Sequence, residues 1–188
     1  MKIYLTIISF LFALNVFSDT CDCNILIKKD NLMYKEGSEL PFTGTCIIIN
    51  NNIKILETEY KNGKAEGKET VWNADGTKYT ETIFVDGKFN GPHKQWYKNG
   101  ILEFEINYQN DKMNGKATRW YNNGKKESEG LYSDCRETGR WTYWYENGKK
   151  KKEGSFKEGK EMGLWNYFNE KGVKTEQKKF VYKTVIKK

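Results

Sequence analysis

Glycine recurs every 24 residues through most of this chain, and that period constrains the fold more than any other feature. A fixed period of roughly 20 to 50 residues is typical of repeat proteins, in which each unit packs only on its neighbours. Such arrays present extended surfaces, so the period favours a binding function over an enzyme with a deep catalytic pocket. Two glycine series and one aromatic series keep this spacing: Gly67, Gly91, Gly115, Gly139 and Gly163; Gly76, Gly100, Gly124, Gly148 and Gly172; and Tyr60, Phe84, Tyr108, Tyr132, Phe156 and Phe180.

Each repeat predicts a β-hairpin. Apolar residues alternate with polar ones, as in a strand with one buried face: Leu102, Phe104, Ile106 and Tyr108. The Asn99-Gly100 step predicts a tight turn whose residues take positive φ. No part of the array shows convincing helical periodicity. We therefore predict an all-β fold of six tandem hairpins of about 24 residues, spanning residues 32–182 and forming one elongated, twisted, antiparallel single-layer sheet.

The N-terminus predicts export. Lys2 is followed by an apolar run over residues 3–16 and by Ser18, which is the pattern of a signal peptide cleaved near Ser18. A retained membrane anchor is the alternative, but the run is shorter than the roughly 20 residues that cross a bilayer. A lipoprotein interpretation would use Cys21, although the residues before it match such a site poorly. The expected location is the periplasm, the cell surface or the medium.

The net charge of +7 comes from the ends of the chain. Residues 19–170 contain 24 basic and 24 acidic residues, whereas residues 171–188 contain seven lysines and one glutamate. The neutral body lacks the basic stripe of a nucleic-acid-binding protein, so we expect no nucleic-acid partner. Residues 183–188 form a basic C-terminal tail, for which a solvated terminus is favoured over a contact with anionic lipid or wall polymer. Residues 19–31 match the repeat poorly and are predicted to be a leader or a cap.

The four cysteines are compatible with an oxidising compartment. Either Cys21 or Cys23 is close enough in the chain to bridge Cys46, and both pairings remain open. Cys135 lies almost four repeats further on, which places it tens of ångströms from Cys46 and beyond the roughly 7 Å limit for a disulfide. We therefore predict a free thiol at Cys135, with an intermolecular link as the alternative.

A composite motif recurs in the repeats: a Lys-x-x-Gly piece, a Trp-Tyr pair, and a glutamate three residues before an aromatic residue. Examples are Lys112…Gly115, Trp96-Tyr97, Trp120-Tyr121, Trp144-Tyr145 and Glu105…Tyr108. The unit resembles the MORN-repeat variant family, found in many bacterial proteins, including those labelled YwqK-family antitoxins. The resemblance implies a hairpin sheet that contacts proteins or membranes, without catalysis. A cytoplasmic antitoxin would not need residues 1–18.

The sharpest binding candidate is a series of one tryptophan per repeat. A stripe of rings on one side of a sheet suits an extended polymer, such as a glycan or a peptide, although filling of a thin core is the favoured alternative. The tyrosine after each tryptophan, together with Trp141 and Trp165, would widen the stripe on the opposite side of the same strands. The candidate residues are Trp72, Trp96, Trp120 and Trp144, with Tyr97, Tyr121 and Tyr145.

Nothing in the sequence indicates a catalytic or metal site. His93 is the only histidine, and the repeat register suggests no nucleophile–histidine arrangement. Cys21-x-Cys23 without a nearby histidine is a poor zinc site. We expect no cofactor, and a non-enzymatic scaffold for a protein partner that the sequence does not identify. The alternative is an envelope-binding module that contacts glycan, wall polymer or anionic lipid through the aromatic stripe.

Overall fold

The computed structural model describes residues 19–181 and confirms the predicted all-β repeat fold. Thirteen strands form one open sheet, in which β1 lies parallel to β4 and every later strand pairs antiparallel with the next in sequence; β2 and β3 form a separate hairpin. Within the described residues no helix is long and apolar enough to cross a membrane. The strands are β1 (Thr20–Asp22), β2 (Leu26–Lys29), β3 (Leu32–Lys35), β4 (Gly44–Asn50), β5 (Ile53–Lys61), β6 (Lys64–Trp72), β7 (Lys78–Val85), β8 (Lys88–Trp96), β9 (Leu102–Gln109), β10 (Lys112–Trp120), β11 (Lys126–Ser133), β12 (Arg136–Trp144), β13 (Lys150–Lys157), β14 (Lys160–Phe168) and β15 (Lys174–Phe180).

The hairpin array begins later than predicted. Residues 32–35 form β3, which pairs with β2 outside the large sheet, so the first of the six hairpins starts at Gly44. The residues before it form β1, a short 3-10 turn (Cys23–Ile25) and β2, and β1 pairs with β4 at the end of the large sheet. The predicted signal peptide and the basic tail lie outside the described residues.

Two kinds of turn alternate along the sheet. At Asp86-Gly87 both residues have positive φ, at 52° and 76°, and they join directly paired strands. At the opposite edge of the sheet only Gly100 has positive φ, at 82°, so the predicted conformation of Asn99 is wrong. Asn99 contributes through its side chain instead, because its Oδ1 accepts from the Ile101 backbone N–H at 3.1 Å.

The two faces of the sheet differ in chemistry. The face that we call the aromatic face carries the Tyr60-to-Phe180 ring series and a line of side chains that crosses the sheet from strand to strand, the central row. The central row consists of Cys46, Thr58, Glu69, Thr82, His93, Ile106, Ala117, Gly130, Trp141, Gly154, Trp165 and Lys178.

The central row changes from polar to aromatic along the array, and the core lies at its C-terminal half. Ala117, Trp141 and Trp165 form the buried cluster, with Trp165 fully inaccessible to solvent. Edge-to-face ring contacts extend this cluster, such as Phe156 against Trp165 at 5.0 Å between centroids. Each indole lies directly over a glycine of the preceding strand: a Cβ on Gly130 would be 2.1 Å from Trp141, and one on Gly154 would be 2.2 Å from Trp165.

The glycine–tryptophan pairs yield a stability prediction. Gly130→Ile should destabilise the chain by about 1–3 kcal/mol, because the new side chain displaces the Trp141 indole from its place over the strand. Adding Trp141→Ala to Gly130→Ile recreates the Ile106–Ala117 pair of the neighbouring repeat. Urea unfolding of the two single variants and the double variant should give a double-variant loss clearly smaller than the sum of the single losses. Simple additivity would contradict the steric account.

Candidate functional site

The predicted tryptophan stripe lies on the face opposite the central row, which we call the tryptophan face. Trp72, Trp96, Trp120 and Trp144 are all half-buried there, and none belongs to the core cluster. Their indole N–H groups have no acceptor within residues 19–181, whereas those of Trp141 and Trp165 donate to the carbonyls of Leu131 and Ser155. The rings that fill the core are therefore those of Trp141 and Trp165. The glutamate series shares the tryptophan face: Glu57, Glu81, Glu105, Glu129 and Glu153.

A β-bulge in every hairpin determines what surrounds each tryptophan. In a regular strand residues three apart point to opposite faces. The register shift beside Val71 and Trp72, and its counterparts in the other hairpins, bring a lysine onto the same face as the glutamate three residues later. Lysine Nζ to carboxylate distances are 2.5 Å for Lys54–Glu57, 3.0 Å for Lys78–Glu81, 2.7 Å for Lys126–Glu129 and 2.9 Å for Lys150–Glu153.

Three of these four lysines lie over tryptophan rings. Nζ of Lys54 is 4.8 Å from the centroid of Trp72, and Nζ of Lys78 is 4.9 Å from that of Trp96. Lys126 lies 5.8 Å from the ring of Trp144. Each of these ammonium groups thus contacts both a carboxylate and an aromatic face, which is the geometry of a cation–π contact supported by an ion pair.

A second basic residue interacts electrostatically with the carboxylates of three of the glutamates. It stands thirteen residues before the glutamate, on the adjacent strand: Lys116 is 3.1 Å from Glu129, and Arg140 is 2.8 Å from Glu153. Hydrogen bonds from Lys126 and Lys116 lower the pKa of Glu129, and those from Lys150 and Arg140 lower the pKa of Glu153.

Glu81 has the same two kinds of neighbour. Burial alone would raise its pKa, but the hydrogen bond and charge of Lys78, with the charges of Lys68 and Lys94, bring it below the ordinary value. These glutamates are therefore ionised and internally paired at neutral pH.

The tyrosines that follow the tryptophans connect adjacent repeats. Each hydroxyl donates to the main-chain carbonyl of a residue 23 positions on: Tyr97 to Trp120 at 2.9 Å, Tyr121 to Trp144 at 2.8 Å, and Tyr145 to Phe168 at 2.9 Å. Asparagine amides add parallel bonds, such as Asn123 to the carbonyl of Glu146. The hydroxyls of these candidate residues are thus engaged within the sheet, and sequence reasoning did not anticipate this role.

His93 is half-buried in the central row. Its Nδ1 lies 2.8 Å from the hydroxyl of Thr82, and its ring packs against Phe89, Phe104 and Tyr108. Burial lowers the pKa of His93, so the neutral imidazole is favoured in the folded chain. The Thr82 hydroxyl that His93 contacts is itself buried, and the environment of His93 is that of a core side chain.

The structure joins Cys23 to Cys46 and leaves Cys21 and Cys135 as free thiols. Cys21 is aligned with Cys46 across β1 and β4, while Cys23 reaches it from the 3-10 turn. Cys135 is exposed at a hairpin turn with φ of 64°, the place that glycine occupies in other repeats. Residues 19–181 contain no cluster of histidine, cysteine and carboxylate side chains that suits a metal ion.

The depressions in the sheet are shallow and open. On the aromatic face, one of about 180 Å³ lies where the small Ala117 follows Ile106 in the central row, with Phe104, Tyr132 and Trp141 around it. On the tryptophan face, one of about 290 Å³ lies beside Trp120 and Glu105. The first arises where a larger side chain of the central row is replaced by Ala117.

The comparisons with known proteins agree with the repeat geometry. The family model of the MORN repeat variant matches residues 89–110, 113–134 and 137–158. These segments correspond to the hairpins β8–β9, β10–β11 and β12–β13. The resemblance predicted from the composite motif is thus confirmed for three consecutive repeats. A search of curated proteins finds no significant match to the chain.

The two sets of tryptophans should differ in their contribution to stability. Trp165→Ala should lower the free energy of unfolding by about 3–5 kcal/mol, because it empties the fully buried centre of the core. Trp96→Ala should cost about 1 kcal/mol, since that ring is half-exposed and loses one cation–π contact. Urea unfolding of both variants measures the difference, and equal losses would show that the faces are assigned wrongly.

The burial of His93 predicts a pH dependence. Because its folded pKa is lowered, the unfolded chain binds the proton more readily, and stability falls as the pH drops below about 6.5. Between about pH 7.5 and pH 5.5 the wild type should lose up to about 1 kcal/mol more than His93→Gln, whose amide can still pair with Thr82. Unfolding midpoints in urea test this, and parallel pH curves for the two chains would refute it.

Proposed function

We propose that this chain is an exported, non-enzymatic repeat protein that serves as a scaffold for a protein partner, and that the partner docks on the tryptophan face. One observation carries the proposal: Trp72, Trp96, Trp120 and Trp144 form a half-exposed row whose indole N–H groups have no acceptor in the described chain. Tryptophan is enriched among the residues that dominate binding energy at protein interfaces. The buried hydrophobic cluster lies on the aromatic face, so these four tryptophans are not needed to form it.

The charges around the row support protein docking. The glutamates and lysines of the tryptophan face largely neutralise one another within the chain. A partner that covers paired charges loses less solvation energy than one that covers isolated ions. Such a surface suits an extended protein partner along the sheet.

Export is supported by the apolar run before Ser18 and by the Cys23–Cys46 disulfide, which suits an oxidising compartment. The MORN-like repeats also occur in bacterial proteins labelled as antitoxins, but a cytoplasmic antitoxin would need neither feature. We therefore place the scaffold in a bacterial envelope or outside the cell.

An envelope glycan is a less favoured ligand for the same face. A sugar ring binds tryptophan by stacking on the indole, and lysines already lie over Trp72, Trp96 and Trp144. Glycan binding would require those lysines to leave both the ring and the paired carboxylate.

The proposal predicts a face-specific loss of partner capture. The purified full chain, Trp96→Ala with Trp144→Ala, and the control Arg119→Ala on the aromatic face would each be cross-linked in envelope extract. Retained proteins would be quantified by mass spectrometry. We expect one protein in near-stoichiometric amount, reduced at least about tenfold by the tryptophan double variant, because truncation of a hot-spot tryptophan costs about 2 kcal/mol or more.

Arg119→Ala should leave that recovery unchanged, since its side chain lies over Phe104 on the other face. Retention of wall fragments or lipid without a protein would favour the envelope-binding alternative. Equal losses for the double variant and for Arg119→Ala would contradict docking on the tryptophan face.

A further inference from the structure

One repeat breaks the charge pattern of the tryptophan face. Glu105 lacks both of the basic residues that Glu81, Glu129 and Glu153 possess. Three residues before it stands Leu102, and thirteen residues before it stands Pro92. The corresponding residues in the other repeats are Lys78 and Lys68 for Glu81, Lys126 and Lys116 for Glu129, and Lys150 and Arg140 for Glu153.

The loss leaves Glu105 with a single distant ion pair. Within residues 19–181 its only basic partner is Lys94, at 3.9 Å. The adjacent ring of Trp120 has no lysine or arginine over it in the same part of the chain, because Leu102 replaces the residue that would supply one. In other repeats a lysine ammonium group lies between the glutamate carboxylate and the tryptophan ring. At Glu105 and Trp120 the chain supplies no such ammonium group within the described residues.

The other repeats show what such a pair binds. Nζ of Lys78 is 3.0 Å from the Glu81 carboxylate and 4.9 Å from the Trp96 centroid, so one ammonium group satisfies both. The same arrangement holds Lys54 at 2.5 Å from Glu57 and 4.8 Å from Trp72. Three chain lysines, counting Lys126, thus act as internal models of the ligand.

We propose that Glu105 and Trp120 bind an ammonium group from outside the chain, supplied by a lysine side chain of the docked protein partner. This inference rests on the proposed function, because it takes the partner to be a protein. The inference specifies one contact of the proposed interface. In that contact a primary ammonium group on an aliphatic chain lies between the Glu105 carboxylate and the Trp120 indole.

The surface beside Trp120 has room for such a group. The depression of about 290 Å³ is lined by Glu105, Thr118 and Trp120, and also by Lys116, Lys126 and Glu129. Both of these lysines are bonded to Glu129, at 3.1 Å and 2.7 Å, and neither forms an ion pair with Glu105 in the described part of the chain. An incoming ammonium pairs with Glu105, and its alkyl stem gains an apolar neighbour in Leu102.

The test uses n-butylammonium chloride as the probe and the six indole N–H resonances of the ¹⁵N-tryptophan-labelled full chain as reporters. The reference titration uses sodium chloride at equal ionic strength. We expect the Trp120 resonance, assigned with Trp120→Phe, to shift selectively with the probe. The resonances of Trp72, Trp96 and Trp144 should move little, because chain lysines already lie over those rings.

Two variants at one position provide the matched control. Leu102→Lys restores the repeat pattern and supplies the cation from the chain itself, so the selective response of Trp120 should be lost. Leu102→Met keeps an apolar side chain without charge at this position and should retain the response. Neither substitution touches the aromatic core.

The proposal is overturned if Trp120 does not respond to the probe, if all four stripe tryptophans respond alike, or if Leu102→Lys responds as the wild type does. Because the titration contains no partner, its failure leaves the capture experiment to decide the proposed function separately. Conversely, if the unmodified chain retains no protein in the capture experiment but Trp120 still responds to the probe, the scaffold is rejected and an ammonium site remains.

Discussion

A sheet of one layer has no second layer to bury its side chains, and this constraint governs the whole molecule. Each strand is stabilised by its immediate neighbours, through cross-strand contacts on the two faces and through hydrogen bonds between turns. The 24-residue period places the same groups in register, so the hydroxyl of Tyr121 meets the carbonyl of Trp144 as that of Tyr97 meets the carbonyl of Trp120. The array is therefore bonded along its turn edge as well as across its strands.

The two faces of the sheet are stabilised by different interactions. On the aromatic face, the indoles of Trp141 and Trp165 lie flat over glycines, which gives close packing without a covering layer. At the N-terminal end the central row is mostly polar, and the Cys23–Cys46 disulfide and the ring of Phe42 bury this part of the face. The tryptophan face is held by ion pairs and ammonium–ring contacts, which leaves its rings accessible and its charges largely paired. The proposed docking surface is thus the face that does not hold the buried aromatic cluster.

The period, the turn residues and the alternation of Phe104, Ile106 and Tyr108 sufficed to predict an open hairpin sheet, because these signals are local and repeated. The start of the array was misplaced because Leu32–Lys35 has the composition of a strand but pairs with β2, and no local signal indicates its partner. The choice between Cys21 and Cys23 also depended on the turn at Cys23–Ile25, which aims the second thiol at Cys46.

The site itself was only partly predictable. Strict period-two alternation would place Leu102 with Phe104 on the buried face, whereas the bulge turns residue 102 and its equivalents to the tryptophan face. The lysine contacts with Glu81 and Trp96 therefore have no signature in simple alternation. One signal was present: glycine appears at positions 130 and 154 only where tryptophan follows at 141 and 165, while Ile106 accompanies Ala117. That pairing identifies the core tryptophans from the sequence.

The unequal roles of the two faces are tested most directly by hydrogen exchange of the six indole N–H groups in the unmodified chain. The account predicts slow exchange at Trp141 and Trp165, whose N–H groups donate to the carbonyls of Leu131 and Ser155, and fast exchange at Trp72, Trp96, Trp120 and Trp144. Slow exchange at any of the four stripe tryptophans, or fast exchange at Trp141 or Trp165, would contradict it.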